Sequence, residues 1–199
     1  MKIVLIGAAG DIGRTIYDAL GDRHEIITAG RSSGDVQVDM ADFASCVALY
    51  DAVGRVDAVV SAAGEVHFGT LTDMTPEQTM VGLRQKLMGQ INLVLAGTKH
   101  VADAGSFTLT SGILDRDPIQ VGVGAATANG GLAGFVTGAA IQMPRGQRIN
   151  VVSPGLLQVS ADQYGAWFPG HDPVSSRRVG LAYAKAVEGT VNGQVIVVD

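Results

Sequence analysis

Residues Lys2 to Gly13 read KIVLIGAAGDIG, and the reading of this stretch decides the fold. Ile3-Val4-Leu5-Ile6 is an apolar run without polar alternation, the pattern of a parallel strand covered on both faces. It runs straight into glycine. Gly7, Gly10 and Gly13 let the backbone bend tightly, approach a pyrophosphate without a Cβ clash, and seat the next helix close against the strand. A helix beginning near Asp11 would aim its free N–H groups at the phosphates. With 27 glycines in 199 residues, the spacing alone carries little weight. Its context carries more, because the turn lies between a strand and a helix (Asp11 to Leu20) and is followed by a second strand, His24 to Ala29.

The length suffices for one well-packed α/β domain but not for a dinucleotide domain with a separate substrate domain, so residues 1–199 read as a single dinucleotide-binding unit. A net charge of −5 without basic clusters argues against nucleic acid or an anionic membrane as partner. A small neutral or anionic molecule fits better. Cys46 is the only cysteine, so there is neither a disulfide framework nor a cysteine metal site, which suits a reducing cytoplasm. The apolar run after Lys2 ends at Gly7, shorter than a signal-peptide core or a membrane span. His24, His67, His100 and His171 are scattered, and nothing has metal-ligand spacing.

Strand and helix signals alternate, which predicts an α/β fold: a Rossmann-like, doubly wound parallel sheet of about seven strands with right-handed crossovers. The second strand ends at Gly30-Arg31-Ser32-Ser33-Gly34, and a third, Val36 to Val38, follows too soon for a crossover helix. Asp42 caps a helix to about Val53, and Val56 to Ser61 is the fourth strand. Thr75-Pro76-Glu77 starts a helix reaching about Leu95. The fifth strand is Ser106 to Thr110, and residues 115–123 form a loop. Gly124 to Met143 carries no charge, so it reads as a helix with no face for water, buried in the fold, in a subunit interface, or both. Ile149 to Val152 is the sixth strand, broken by Pro154-Gly155. A polar loop then runs to about Asp172, and a helix (Val174 to Val187) and a strand (Val195 to Val198) finish the chain.

These residues resemble the short-chain dehydrogenase/reductase family over nearly the whole chain. The resemblance rests on the glycine turn, on Ala62-Ala63-Gly64 in place of the family's Asn-Asn-Ala-Gly type turn, on Thr110-Ser111 after the fifth strand, and on Asn150-Val151-Val152-Ser153-Pro154-Gly155. It implies a nicotinamide cofactor held by Gly7, Gly10, Asp11, Ile12 and Gly13, by Arg31 and Ser32, by Asp39 at the adenine, by Ala62, Ala63 and Gly64, and by Pro154 and Gly155 beside the nicotinamide. It also makes Ser111 catalytic. Arg31, where an NAD-binding chain carries a carboxylate, points to NADP(H). The resemblance breaks at the proton-handling set. Ala125 stands where the family has its catalytic Tyr, Asn129 where it has Lys, and Lys86 where it has a helix Asn. Tyr17, Tyr50, Tyr164 and Tyr183 are followed four residues on by Gly21, Gly54, Phe168 and Val187, so none restores the motif.

Ser111 at a strand's C-terminal end reads as a ligand-site hydroxyl or as a serine satisfying local backbone. Lys86 reads as a solvated lysine or as an ammonium turned to the cofactor. His67, after the Ala-Ala-Gly turn, reads as an acid or base or as an inert loop histidine. Tyr164 and Trp167 either line a small apolar pocket or anchor their loop, and Asp115 and Asp117 read as solvated loop carboxylates. Two functions follow. One is an NADPH-dependent oxidoreductase of divergent type on a small carbonyl, alcohol or related hydride acceptor. The other is an NADP(H)-binding sensor or a non-redox enzyme, an isomerase or cyclase, on the same fold. A homodimer or homotetramer built on the helices Pro76 to Leu95 and Gly124 to Met143 is expected in either case.

Overall fold

A computed structural model covers residues 1–199, and in it the opening apolar run becomes β1 (Lys2–Ile6). The later strands are β2 (Glu25–Gly30), β3 (Val36–Gln37), β4 (Val56–Ser61), β5 (Val101–Thr110), β6 (Arg148–Pro154) and β7 (Val195–Val198). All pair in parallel in the order β3-β2-β1-β4-β5-β6-β7. The order reverses between β1 and β4, the place where loops at the strands' C-terminal ends part and leave a ligand crevice.

Alternation along β1 divides its side chains between two cores. Val4 and Ile6 join Tyr50, Leu93, Phe107 and Leu132 on one face. Ile3 and Leu5 join Ile16, Leu20, Val179 and Tyr183 on the other. Covering these faces are α1 (Asp11–Leu20), α2 (Phe43–Val53), α3 (Pro76–Gly82), a π-helical turn (Leu83–Met88), α4 (Gly89–Gly97), α5 (Val123–Ala140) and α7 (Ser176–Glu188), with the short α6 (Ala161–Tyr164) outside. The helix starts follow local chemistry. The Asp42 carboxylate accepts from the Ala44 N–H at 3.0 Å. Thr75 and Gln78 close a reciprocal capping box ahead of Pro76.

No helix separates β2 from β3, as the short spacing requires. Instead the chain doubles back, and the Asp35 carboxylate accepts from both the N–H and the hydroxyl of Thr28, each at 2.8 Å. The edge strand then restarts parallel to its neighbour.

Several expectations are corrected. β5 begins at Val101 rather than Ser106, because Asp57 of β4 spans the same interval as residues 102–105 of β5, which bulge out with Ala104 at φ +59°. The helix from Pro76 runs on to Gly97, interrupted by the π-helical turn. The stretch after Pro154 is neither wholly loop nor mainly polar: 3₁₀ turns at Gln158–Ser160 and Gly165–Trp167 flank α6 and present Tyr164, Trp167 and Phe168. The uncharged helix α5 starts at Val123 and stops at Ala140, and within the single chain one of its faces is uncovered. Ala125, Ala128, Leu132 and Val136 are buried, whereas Thr127, Gly130, Gly134 and Gly138 are exposed and Ile141 just beyond is 88% exposed. The sheet covers one side only, and on the other nothing lies within 4 Å of where a Cβ on Gly134 or Gly138 would stand. No helix is long and apolar enough to cross a membrane.

Candidate active site

The glycine turn is dictated by contact distances. Gly7 sits at φ +84°, and a Cβ there would come within 2.9 Å of the Ala63 Cβ. A Cβ on Gly13 would lie 2.0 Å from the Gly7 carbonyl oxygen, so α1 meets β1 at backbone distance only because residue 13 has no side chain. Gly10 is exposed and its Cβ would have nothing nearer than 3.6 Å. The space it leaves lies on the outer side, where the first-turn amides of α1 have no partner deeper in the helix. Asp11 is turned sideways: it accepts from the Ser160 hydroxyl at 2.7 Å and pairs with Arg14 at 2.6 Å. These contacts, Ser160 first, hold its carboxyl below the usual carboxylate range. The turn is thereby tied to the segment that follows β6.

Beside it opens a polar cleft of about 380 Å³. Gly7, Arg31, Ser32, Asp39, Ala63 and Gly64 all line it. Asp39 commits one carboxylate oxygen to the Ala41 N–H at 3.0 Å. Arg31 reaches across to Glu65, 3.4 Å away, and both side chains are exposed. Ala62 lies behind the cleft, its N–H donating to the Ile6 carbonyl at 2.8 Å.

A second pocket of about 250 Å³ joins Ile12, Pro154 and Gly155 to Lys86, Ser111, Ala125, Asn129 and Tyr164. The Ser111 N–H extends the β5–β6 ladder to the Val152 carbonyl at 2.9 Å, while its hydroxyl is buried with no partner. An unpartnered buried hydroxyl is uncommon and marks a place where something else accepts or donates. Lys86 lies on the π-helical turn, and its ammonium donates to the Ser111 carbonyl at 3.0 Å. Gly64 makes room for it, since a Cβ there would approach the Lys86 Cγ to 2.6 Å. Desolvation pushes the ammonium down to about 8, against the opposing pull of the Asp115 carboxylate.

Gln90, fully buried on α4, holds the serine's backbone from below: its amide donates to the Thr110 carbonyl at 2.9 Å and accepts from the Thr110 N–H at 2.8 Å. Asn129 donates to the Gly112 carbonyl at 3.0 Å, and its amide oxygen is buried without a partner.

Of the sequence candidates, Ser111, Lys86 and Tyr164 are brought together. His67 is not; it lies outside this pocket, with its carbonyl against the start of α5 at Gly124. Tyr164 and Trp167 do line an apolar recess, with Phe68 and Phe168. Asp115 departs from the solvated reading, for its side chain is only 15% exposed and its charge acts on Lys86. Gln90, Glu65 and the Asn129 amide were missed. A polar residue inside the apolar run of α4 was the one available sign of Gln90. No group of three or more His, Cys, Asp or Glu side chains gathers as a metal site.

A family model described as enoyl-(acyl carrier protein) reductase matches residues 16–199. The chain belongs to the short-chain dehydrogenase/reductase family. Among solved structures, the protein lin1944 from Listeria innocua is 48% identical over the whole of both chains with a TM-score of 0.99. A small-chain dehydrogenase in complex with NADPH is 25% identical, with all of this chain and 96% of that one aligned and a TM-score of 0.87. The granaticin polyketide synthase putative ketoacyl reductase 2 of Streptomyces violaceoruber is 26% identical over 98% of this chain and 93% of that protein. The chain spans about half the length, or less, of most other curated relatives it matches.

The Lys86 geometry has a thermodynamic consequence. Its folded-state value of about 8 lies below the ordinary 10.5, so between those pH values the unfolded chain holds a proton that the folded chain has lost, and stability rises with pH. Lys86→Met should therefore melt higher than wild type at pH 7, and the gap should close as pH approaches 10.5. Thermal melts at several pH values check this; a Lys86→Met protein that melts lower at pH 7 would count against a desolvated ammonium.

Proposed function

We propose that the chain is an NADPH-dependent reductase of a small carbonyl compound or related hydride acceptor, in which Lys86 stands in for the family's missing tyrosine as the proton donor. The observation that carries this reading is the unpartnered Ser111 hydroxyl, with the Lys86 ammonium held on the same residue's backbone carbonyl, in a pocket walled by Ile12, Pro154 and Gly155. The residues fit the cofactor. Glycines 7, 10 and 13 leave a backbone cradle at the start of α1 for a pyrophosphate, and Arg31 and Ser32 follow β2 with no carboxylate of their own for a ribose 2′-hydroxyl. When bound, the reduced nicotinamide supplies a hydride. Ser111 donates a hydrogen bond to the substrate oxygen. Lys86 would give a proton to that same oxygen as negative charge develops on it, leaving an alcohol and a neutral amine that solvent reprotonates. A donor whose value lies near neutral pH suits that step.

Ala125, which lines the pocket without a hydroxyl, supports a second reading, an NADP(H)-binding sensor or a non-redox isomerase or cyclase. Oxidation of NADPH during turnover separates the two. The uncovered stripes of α4 and α5, including Met88 before α4, Leu95 and Gly134, support a symmetric homodimer or homotetramer. The lone buried cysteine supports residence in the cytoplasm.

Three outcomes test these readings. In calorimetry NADPH should bind more tightly than NADH, and Arg31→Ala should weaken NADPH about ten- to a hundredfold while sparing NADH. Because Glu65 competes for Arg31, Glu65→Gln should tighten NADPH a few-fold; equal binding of the two cofactors by wild type would overturn the preference. In turnover, kcat should fall as pH rises through about 8, and Lys86→Met should lose about 10²–10⁴-fold in kcat with NADPH affinity retained. A pH-independent rate that survives the substitution would remove Lys86 from the chemistry. In sedimentation the wild type should exceed a monomer at micromolar concentration, and Gly134→Glu should give monomers or insoluble protein.

A further inference from the structure

An apolar recess of about 200 Å³ adjoins the Ser111 pocket, and no charged side chain lines it. Its walls are Phe68, Ile119, Val121, Tyr164, Trp167 and Phe168. They come from three separated segments: the loop after β4, the loop before α5, and the helical turns after β6. The chain has only ten aromatic residues, five Phe, four Tyr and one Trp, and four of them meet here. Phe68, Tyr164 and Trp167 are 50%, 45% and 56% exposed, so ring surface stands uncovered. Phe68, Tyr164 and Phe168 line both the recess and the Ser111 pocket, so the two spaces lie side by side.

We infer that the recess seats the aromatic ring of an uncharged aryl carbonyl substrate, with the carbonyl group reaching into the pocket between Ser111 and Lys86. This rests on the reductase reading above. The size suits a ring: a cavity of about 150 Å³ holds benzene, so the recess takes one substituted ring or a fused pair. Drug-sized sites begin at about 300 Å³, so the recess accommodates part of a ligand and the Ser111 pocket the rest. Ring edges and faces on several sides favour a flat π-system, which can stack offset or edge-on against them, over a puckered aliphatic ring of equal carbon number. A carboxylate or phosphate on the ring would lose its water without gaining a partner.

Trp167 is the only tryptophan, so its fluorescence reports the recess directly, with or without turnover. Titrating the NADPH-loaded protein with acetophenone, cyclohexyl methyl ketone and 4-acetylbenzoate should give saturable quenching by acetophenone. Binding should be at least tenfold weaker for the cyclohexyl ketone and weaker still for the acid. Phe68→Ala should weaken acetophenone at least fivefold and leave NADPH affinity within twofold. Unchanged Trp167 fluorescence with acetophenone, or equal affinity for the two neutral ketones, overturns the inference. So does a change of sedimentation coefficient in Phe68→Ala, which would make the recess a contact between protein chains. Saturable, ring-selective binding without NADPH oxidation would uphold the ring site and reject the reductase reading. Turnover of aliphatic ketones with no ring preference would do the reverse.

Discussion

The ligand end of this molecule depends on one backbone contact, the approach of α1 to the Gly7 carbonyl. A single methylene at residue 13 would occupy the same space as that oxygen. Because it is missing, the N-terminus of α1 lies directly beside the ends of β1 and β4, and Ala63 packs against Gly7 from the other side. Three backbone segments thus converge within van der Waals distance, and the crevice between the sheet halves takes its shape from them. Side chains decorate that crevice but do not create it.

The second pocket follows a different logic, in which polar groups are kept dry at some cost. Ser111 has a buried hydroxyl without a partner, Asn129 a buried carbonyl without one, and Lys86 an ammonium pushed toward neutrality. Each is the kind of group that folding alone would eliminate. Backbone groups beside them, by contrast, are held: Gln90 pairs both polar groups of Thr110, and Asn129 holds the Gly112 carbonyl. Rigid support beneath exposed need is the arrangement expected of a site whose last partners arrive with a ligand.

The sheet was legible because buried parallel strands leave an unmistakable apolar run and because caps such as Asp42 and Thr75 act over three residues. The β5 bulge was not, since residues 102–105 differ from ordinary loop only through pairing with a strand far away in sequence. For α5, absence of charge reports low polarity, but which side of an Ala/Gly helix meets the sheet is decided by tertiary packing. Around the site, local motifs located the glycine turn and Ser111. Glu65 opposite Arg31, and Asp115 near Lys86, are relations between loops that no window of sequence contains. His67 illustrates the converse, a plausible side chain in the right loop that points elsewhere.

Where the helix containing Lys86 widens, Gly89 donates to the Arg84 carbonyl five residues back instead of four. A turn of this kind accommodates one surplus residue without breaking the helix, and each residue shifts a helical face by about 100°. α3 and α4 are therefore out of phase, and that offset lets the ammonium of Lys86 and the amide of Gln90 both address the end of β5, one at Ser111 and the other at Thr110. A shortening by one residue would restore a regular helix and swing one of the two away. In this chain an irregularity of helical count sets the alignment of the pocket, so insertions and deletions threaten it more than most substitutions do.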